Sequence, residues 1–268
     1  MTTIGDHLRA WRRRRRLSQL ELALDAEVSP RHLSFIESGR SSPSREMVLH
    51  LAETLDVPKR ERNAMLLAAG YAPVFGETPL TDPSMASIRR AIDQVLDAQR
   101  PYPAFALDRH WTVVASNAAL PELYVGCSEA LLRPPINGMR LSLHPEGMAP
   151  RIANYGEWRA HLLERLRRQI DLTDDAGLIE LLAEVSAYPS PSHARAAPVP
   201  AEPALVVPFR VITEIGMLSF LSTTTIFGTP LDVTLDELAL ELFFPADAAT
   251  IQAVQSRGGQ TAPARQLA

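Results

Sequence analysis

Between Ser18 and Gly39 the chain carries two helix start and stop signals in close succession, a density that only short helices can satisfy. Ser18 stands where a hydroxyl can cap a helix, and Glu21, three residues on, can reach back to the capping residue to complete a reciprocal box. The helix so opened ends near Asp25. After the link Ala26–Val28, Ser29 caps a second helix with Pro30 at its first position, where a missing N–H costs nothing. Leu33 and Ile36 face inward from it, and Gly39 stops it. Ile4, Leu8 and Trp11 recur at helical spacing from Thr3 to Arg16. Ser44 caps a helix along Met47, Val48, Leu51 and Leu55, and Pro58 opens one that runs to Gly70. The reading is an all-α unit of five short helices over residues 1–75.

Its centre, a helix, a three-residue turn and another short helix, reproduces the helix-turn-helix arrangement. That geometry suits DNA because the first helix lies across the phosphate backbone while the second puts its N-terminal side chains into the major groove. Gln19, at the start of the first helix, can engage a phosphate with its amide and with the helix dipole. On the second helix Arg31, Ser34 and Phe35 form the outward face, with Ser29 and His32 beside them. Arg31 is the residue best able to make a bidentate contact with guanine, and Phe35 can press on a thymine methyl. Arg40, just past the helix, is expected to hold a phosphate, and Arg12 and Arg16 of the run Arg12–Arg16 to approach the backbone. The bland alternative for the run is a solvated helix face. Charge supports the polarity of this reading. The whole chain is net −4, but residues 1–75 hold 12 Lys+Arg against 9 Asp+Glu and the remainder 15 against 22.

Leu17-Ser18-Gln19 with Glu21-Leu22-Ala23, then Val28-Ser29, Ile36-Glu37-Ser38-Gly39-Arg40 and Pro43-Ser44, resemble the Cro/repressor-type helix-turn-helix of the xenobiotic-response-element family. The resemblance implies binding to a double-stranded DNA operator. A small helical bundle that binds protein instead is the competing reading.

Pro73, Gly76, Pro79 and Pro83 mark residues 76–83 as a linker. Met85, Ile88, Ile92, Val95 and Leu96 then follow at spacings of three and four, predicting an amphipathic helix to Gln99. From Ala104 the period changes: Ala104–Leu107 and Trp111–Val114 read as strands about a turn, and Asn117 introduces a helix through Leu123. Helical stripes follow at Trp158, Leu162, Leu163, Leu166 and Ile170, and from Leu178 to Val185. The proline-rich stretch between Tyr188 and Pro203 reads as a loop. Leu205–Thr213 and Met217–Phe227 read as a hairpin about Glu214-Ile215-Gly216, Leu235–Phe244 as a last helix, and residues 253–268 as a loose tail. Strand, turn, strand and short helix open a PAS-like domain, so the expected class is an α+β PAS-like domain over residues 84–252.

Tyr102-Pro103-Ala104-Phe105-Ala106-Leu107-Asp108 with Trp111 and Asn117-Ala118, then Asn137-Gly138-Met139-Arg140-Leu141, Pro145 and Trp158, are similar to the ligand-binding domain of MmyB-like transcription regulators. That resemblance implies an apolar pocket able to hold a fatty acid, although the run Ser222–Pro230 departs from the family's pattern. Phe105, Trp111, Val113, Leu123, Trp158, Leu162, Leu166, Leu218 and Phe220 are the candidates to line such a pocket, against the ordinary alternative that they are core. Arg140 or Arg151 is the candidate to meet a carboxylate head group.

Other classes find little support. There is no G-x-S-x-G and no G-x-x-x-x-G-K, and Cys127, the single cysteine, has no evident base partner, so no catalysis is expected. His110, His144 and His161 lack ligand spacing, and no metal or cofactor is expected. Without an apolar signal segment or a membrane-length apolar run, the expected location is cytoplasmic. The sum is an expected homodimeric DNA-binding regulator that senses a small apolar metabolite. A constitutive regulator whose second domain only dimerises or recruits a protein stays open beside it.

Overall fold

In the computed structural model the described residues are 2–192 and 206–258. The chain forms two compact units that do not follow sequence order. One comprises Met1–Thr78 with Arg168–Asp175 and Pro230–Asp236, and the other Pro79–Arg167, Ala176–Thr229 and Glu237–Ala268.

The first unit contains the five expected helices: α1 (Ile4–Arg14), α2 (Gln19–Asp25), α3 (Pro30–Glu37), α4 (Arg45–Thr54) and α5 (Lys59–Ala68). Their ends are set by the caps the sequence displays. Ser18 accepts from the Glu21 N–H while the Glu21 carboxylate accepts from the Ser18 N–H, and Ser29 and Ser44 accept from His32 and Met47 at 3.1 and 3.2 Å. Gly39, at φ 74°, takes the left-handed conformation that ends α3. A capping box at Thr3 and Asp6 opens α1 in the same way. Leu8, Leu22, Leu33, Ile36, Val48 and Leu51 are fully buried and form the core. Gly5 is required by close approach: a β-carbon there would lie 2.5 Å from the Glu37 carbonyl oxygen and 2.8 Å from that of Ile36. Only a bare backbone lets α1 pack this tightly on the end of α3.

The second unit is α+β, the PAS-like class expected. In chain order it holds α6 (Ala86–Ala98), β1 (Ala104–Leu107), β2 (Val113–Ser116), α7 (Glu129–Leu132), α8 (Gly138–Leu143), most of α9 (Tyr155–Thr173) and α10 (Ala176–Ala187). Then come β3 (Phe209–Thr213), β4 (Gly216–Ile226), β5 (Ala239–Pro245) and α12 (Ala248–Gly258), while α11 (Val233–Asp236), between β4 and β5, falls in the first unit. The strands make one antiparallel sheet in the order β2-β1-β5-β4-β3. The period of two divides β1 and β5 between the faces of the sheet. Ala104, Ala106 and Leu240 pack with Ile92 and Leu96 of α6, whereas Phe105, Leu107, Glu241 and Phe243 point to the opposite side. Asn117 ties these parts together. It donates to the carbonyls of Leu96 (3.0 Å) and Tyr102 (2.8 Å) and accepts from the Ala104 and Ala119 N–H groups, both at 3.2 Å.

Several sequence expectations are corrected. Leu235–Phe244 is not a helix: after the single turn of α11, β5 is the central strand of the sheet, and its near-continuous apolar run reflects burial on both faces. Trp111 is not in a strand. It sits at φ 66° at the end of a turn held by the Asp108 carboxylate, which accepts from the His110 and Thr112 N–H groups at 2.8 Å, and β2 begins two residues later. Past Asn117 the chain forms a 3-10 turn, Leu120–Tyr124. The β3–β4 hairpin forms about Glu214-Ile215, with Gly216 at φ 109°. Residues 253–258, expected as the start of a tail, are the end of α12, while 259–268 of that tail, most of the proline-rich loop and Leu205 lie outside the described residues. Among the described residues no helix is long and apolar enough to cross a membrane.

Candidate DNA-reading helix and ligand pocket

On α3, Leu33 and Ile36 turn fully into the core, which leaves Arg31 exposed and Ser34 and Phe35 half-buried on the opposite face. The guanidinium of Arg31 lies 5.3 Å from the centre of the Phe35 ring, and that of Arg40, beyond the helix end, lies 5.9 Å from it. Phe35 thus gathers two cations at one edge of the helix. Neither has an acidic partner among the described residues, so both charges are free to face an anion. Ser29 is exposed, its hydroxyl capping α3 through the half-buried His32.

Beneath this face lies a buried acid whose role the sequence did not reveal. Glu37 is 3% exposed and accepts from Arg12 Nε at 2.7 Å, Arg12 Nη2 at 2.9 Å and Gln19 Nε2 at 2.8 Å. Arg9 adds a bond to the Glu37 carbonyl. Burial alone would raise the Glu37 carboxyl, but the Arg12 and Gln19 hydrogen bonds and the charges of Arg12 and Arg9 outweigh it and hold it below its ordinary value. Arg12 is consequently committed to the protein and not to phosphate, since it is buried and its remaining nitrogen donates to the Leu17 carbonyl. Gln19 keeps its place at the start of α2, but Glu37 fixes its amide. Of the basic run, Arg14 is bound to the Ile170 carbonyl and Asp174, and Arg15 to the Leu55 and Asp56 carbonyls. Arg13 and Arg16 remain exposed with no side-chain partner among the described residues. Arg13 was visible only as one member of the run.

In the second unit the side of the sheet opposite α6 lines a pocket enclosing about 620 Å3 of space, part of it open to solvent. Phe105, Trp111, Val113, Leu123, Trp158 and Leu162 line it as expected. Leu107, Leu120, Tyr124, Met139, Leu141, Met148, Phe209 and Phe243 join them. Phe243 of β5 is the hub of the wall, with the rings of Phe105, Phe209 and Phe220 centred 5.8, 5.7 and 6.0 Å away, and the Trp158 ring lies tilted against Phe209 at 4.9 Å. Leu166, Leu218 and Phe220 are buried but stand behind the lining as core.

The two arginines expected to receive a head group are elsewhere. Arg140 makes a bidentate ion pair with Glu184 (2.7–3.1 Å), which also accepts from Tyr188, and burial beside that carboxylate pushes the Tyr188 hydroxyl up to about 12. Arg151 donates to the Leu123 carbonyl at 2.5 Å and contacts Cys127 Sγ at 3.6 Å. The charged groups that do line the pocket are Arg165 and Glu241. Arg165 Nη2 donates to Glu241 Oε1 and, at 3.1 Å, to Thr224 Oγ1, and its guanidinium lies 4.9 Å from the Trp111 ring centre. Sheet register explains the placement: Phe105, Glu241 and Thr224 are direct partners across β1, β5 and β4 and share one face. Ser142 accepts from Trp158 Nε1 at 3.0 Å, and burial pushes the Tyr124 hydroxyl well above its ordinary value.

A family model described as a helix-turn-helix domain matches residues 3–65, and one described as the MmyB-like transcription regulator ligand binding domain matches residues 88–256. No curated protein matches the chain. Among solved structures, one titled as an RNA-binding light-oxygen-voltage receptor aligns with 97% of this chain and 64% of its own at 11% identity, and its TM-score of 0.29 is too low to carry an argument. The chain therefore spans about 64% of that protein's length.

Proposed function

The chain belongs to the MmyB-like transcription regulators, and from that premise we propose that it is a ligand-responsive regulator whose first unit, over residues 1–75, reads a DNA operator. Its second, over residues 84–252, senses a small apolar metabolite of fatty-acid size. The observation that carries this reading is that each unit presents a recognition surface of distinct chemistry. One is a helix edge with two free cations gathered on an aromatic ring, and the other is an apolar pocket with a single polar pole.

Arg31, Ser34 and Phe35 are the proposed base readers, with Arg40, Arg13, Arg16 and the pinned Gln19 positioned for phosphates. The exposure of Arg13, Arg16, Arg31 and Arg40, none of which has an acidic partner among the described residues, supports that division. A single short recognition helix covers few base pairs, so the regulator is proposed to act as a homodimer on two half-sites about one helical turn apart. Ligand binding alters operator affinity to the extent that it favours one arrangement of the DNA-binding helices over another.

One experiment examines all three elements. DNA sites are selected from a random pool with the full chain, and the complex with the enriched site is measured by native mass spectrometry, followed by solvent extraction. The expected species holds two chains, one two-fold-symmetric duplex and a stoichiometric small adduct. A single chain on an asymmetric site refutes the dimer. A dimer on DNA that carries no adduct, with an affinity unmoved by apolar extracts, favours the constitutive regulator.

A further inference from the structure

The polar pole of the pocket specifies the end of the ligand, an inference that rests on the apolar-sensor reading above. Glu241 is 3% exposed, and its Oε1 accepts from both Arg165 and Thr224. Oε2 accepts no hydrogen bond among the described residues, although the residue lines the pocket. The protein therefore leaves one face of this carboxylate turned to the pocket, where a donor on a bound molecule could complete its hydrogen bonding. On the other side of the same ion pair, Arg165 donates through Nη2 alone among the described residues, so it retains N–H groups to offer an acceptor. The pole therefore presents one acceptor and several donors side by side, with no net charge. The remaining polar side chains of the lining, Tyr124 and Ser142, are uncharged.

We propose that the pocket selects an apolar chain ending in an uncharged group that both donates and accepts, such as a primary amide or an alcohol, and discriminates against the corresponding carboxylate. An amide offers its N–H to Glu241 Oε2 and its carbonyl to Arg165, and an alcohol does both through one oxygen. A carboxylate, ionised at neutral pH, has no hydrogen to give Oε2. It would also bring a second negative charge against Glu241 in an apolar enclosure where one arginine already has its counterion. Arg140 and Arg151, engaged with Glu184 and with the Leu123 carbonyl, do not line the pocket and supply no compensating charge there.

The test is a titration of the full chain at neutral pH with dodecanamide, dodecan-1-ol and dodecanoate below their aggregation limits. It is read by the fluorescence of Trp111 and Trp158 in the pocket wall. The two neutral probes are expected to bind at least tenfold more tightly than dodecanoate. Glu241→Gln, which removes the negative charge and leaves Arg165 uncompensated, is expected to bring dodecanoate level with them or ahead. Dodecanoate binding as tightly as the neutral probes to the unaltered chain overturns the head-group assignment while leaving the apolar sensor intact. That comparison needs no variant, so it stands even where Glu241→Gln misfolds. Neutral preference that survives Glu241→Gln unchanged overturns the assignment of the discrimination to this ion pair. Failure of all three probes overturns the apolar-chain reading itself, and this inference with it.

Discussion

Replacing Glu37 by alanine removes one side chain and strands three donors, Arg12 Nε, Arg12 Nη2 and Gln19 Nε2, which now end on its two oxygens at 2.7 to 2.9 Å. The Arg12 side chain is 11% exposed and cannot swing into water without opening the contact between α1 and α3. Breaking a buried pair by removing one partner costs about 3–5 kcal/mol, because the surviving charge stays desolvated and unpaired. At about 1.4 kcal/mol per tenfold, that is a rise of about a hundred- to a few-thousand-fold in local opening. Amide hydrogen exchange on the full chain, read on peptides covering α1, α2 and α3, measures that opening directly. Peptides from the sheet of the second unit serve as the reference. If the pair matters through its buried charge, Arg12→Met with Glu37→Leu should recover most of the loss, since a well-packed apolar pair of similar volume is tolerated where a single charge is not. Exchange in α1 to α3 within tenfold of the unaltered chain after Glu37→Ala would refute the reasoning, and so would a double variant as labile as the single one. The same carboxylate sets a pH dependence. Its folded-state value lies below the unfolded one, so the unfolded chain binds more protons, and its contribution is present above the unfolded value of about 4.3 and is lost as pH falls through the folded one.

Three other outcomes follow from the geometry. Arg31→Ala should weaken binding to the selected site by about 1–3 kcal/mol and relax its sequence preference in a fluorescence anisotropy series, whereas an equal loss on every sequence would make Arg31 a phosphate contact. Gly5→Ala should lower the thermal midpoint of the first unit by the equivalent of about 1–3 kcal/mol, because the new β-carbon meets two backbone carbonyls that yield only if α1 moves off α3. Asn117→Ala removes three hydrogen bonds to α6, the segment after it and the start of β1, and a fourth within its own turn, and should cost at least about 2 kcal/mol in urea unfolding. A variant as stable as the parent would mean that water replaces the amide there.

The first unit was legible because its determinants are local. Ser18 with Glu21, Ser29 with Pro30, and Gly39 each act within about one helical turn, so reading the chain in order recovers α1 to α5 and the outward face of α3. Partnerships between helices were not legible. Arg12 and Glu37 are separated by 25 positions, and nothing in a run of five arginines distinguishes the one that turns inward. The run therefore read as a phosphate-binding stripe, although three of its members are spent on the protein.

The second unit shows the same limit more sharply at β5. Leu235, Leu238 and Leu242 fall at helical spacing, while Leu240, Leu242 and the intervening Glu241 and Phe243 alternate with period two, and in so short an apolar run the two periods cannot be told apart locally. What decides is pairing to β1 on one side and β4 on the other, partners far away in the chain. Once β5 is a strand, its register places Glu241 between Phe105 and Thr224 and in reach of Arg165, 76 positions earlier. Read as a helix, the segment gives no reason to put an acid in the pocket, which leaves Arg140 and Arg151 as the head-group candidates, and the fold uses both elsewhere. The aromatic wall could be anticipated because any apolar face in such a domain must be buried somewhere. The polar pole could not, since its chemistry belongs to a pair that exists only after the sheet has closed.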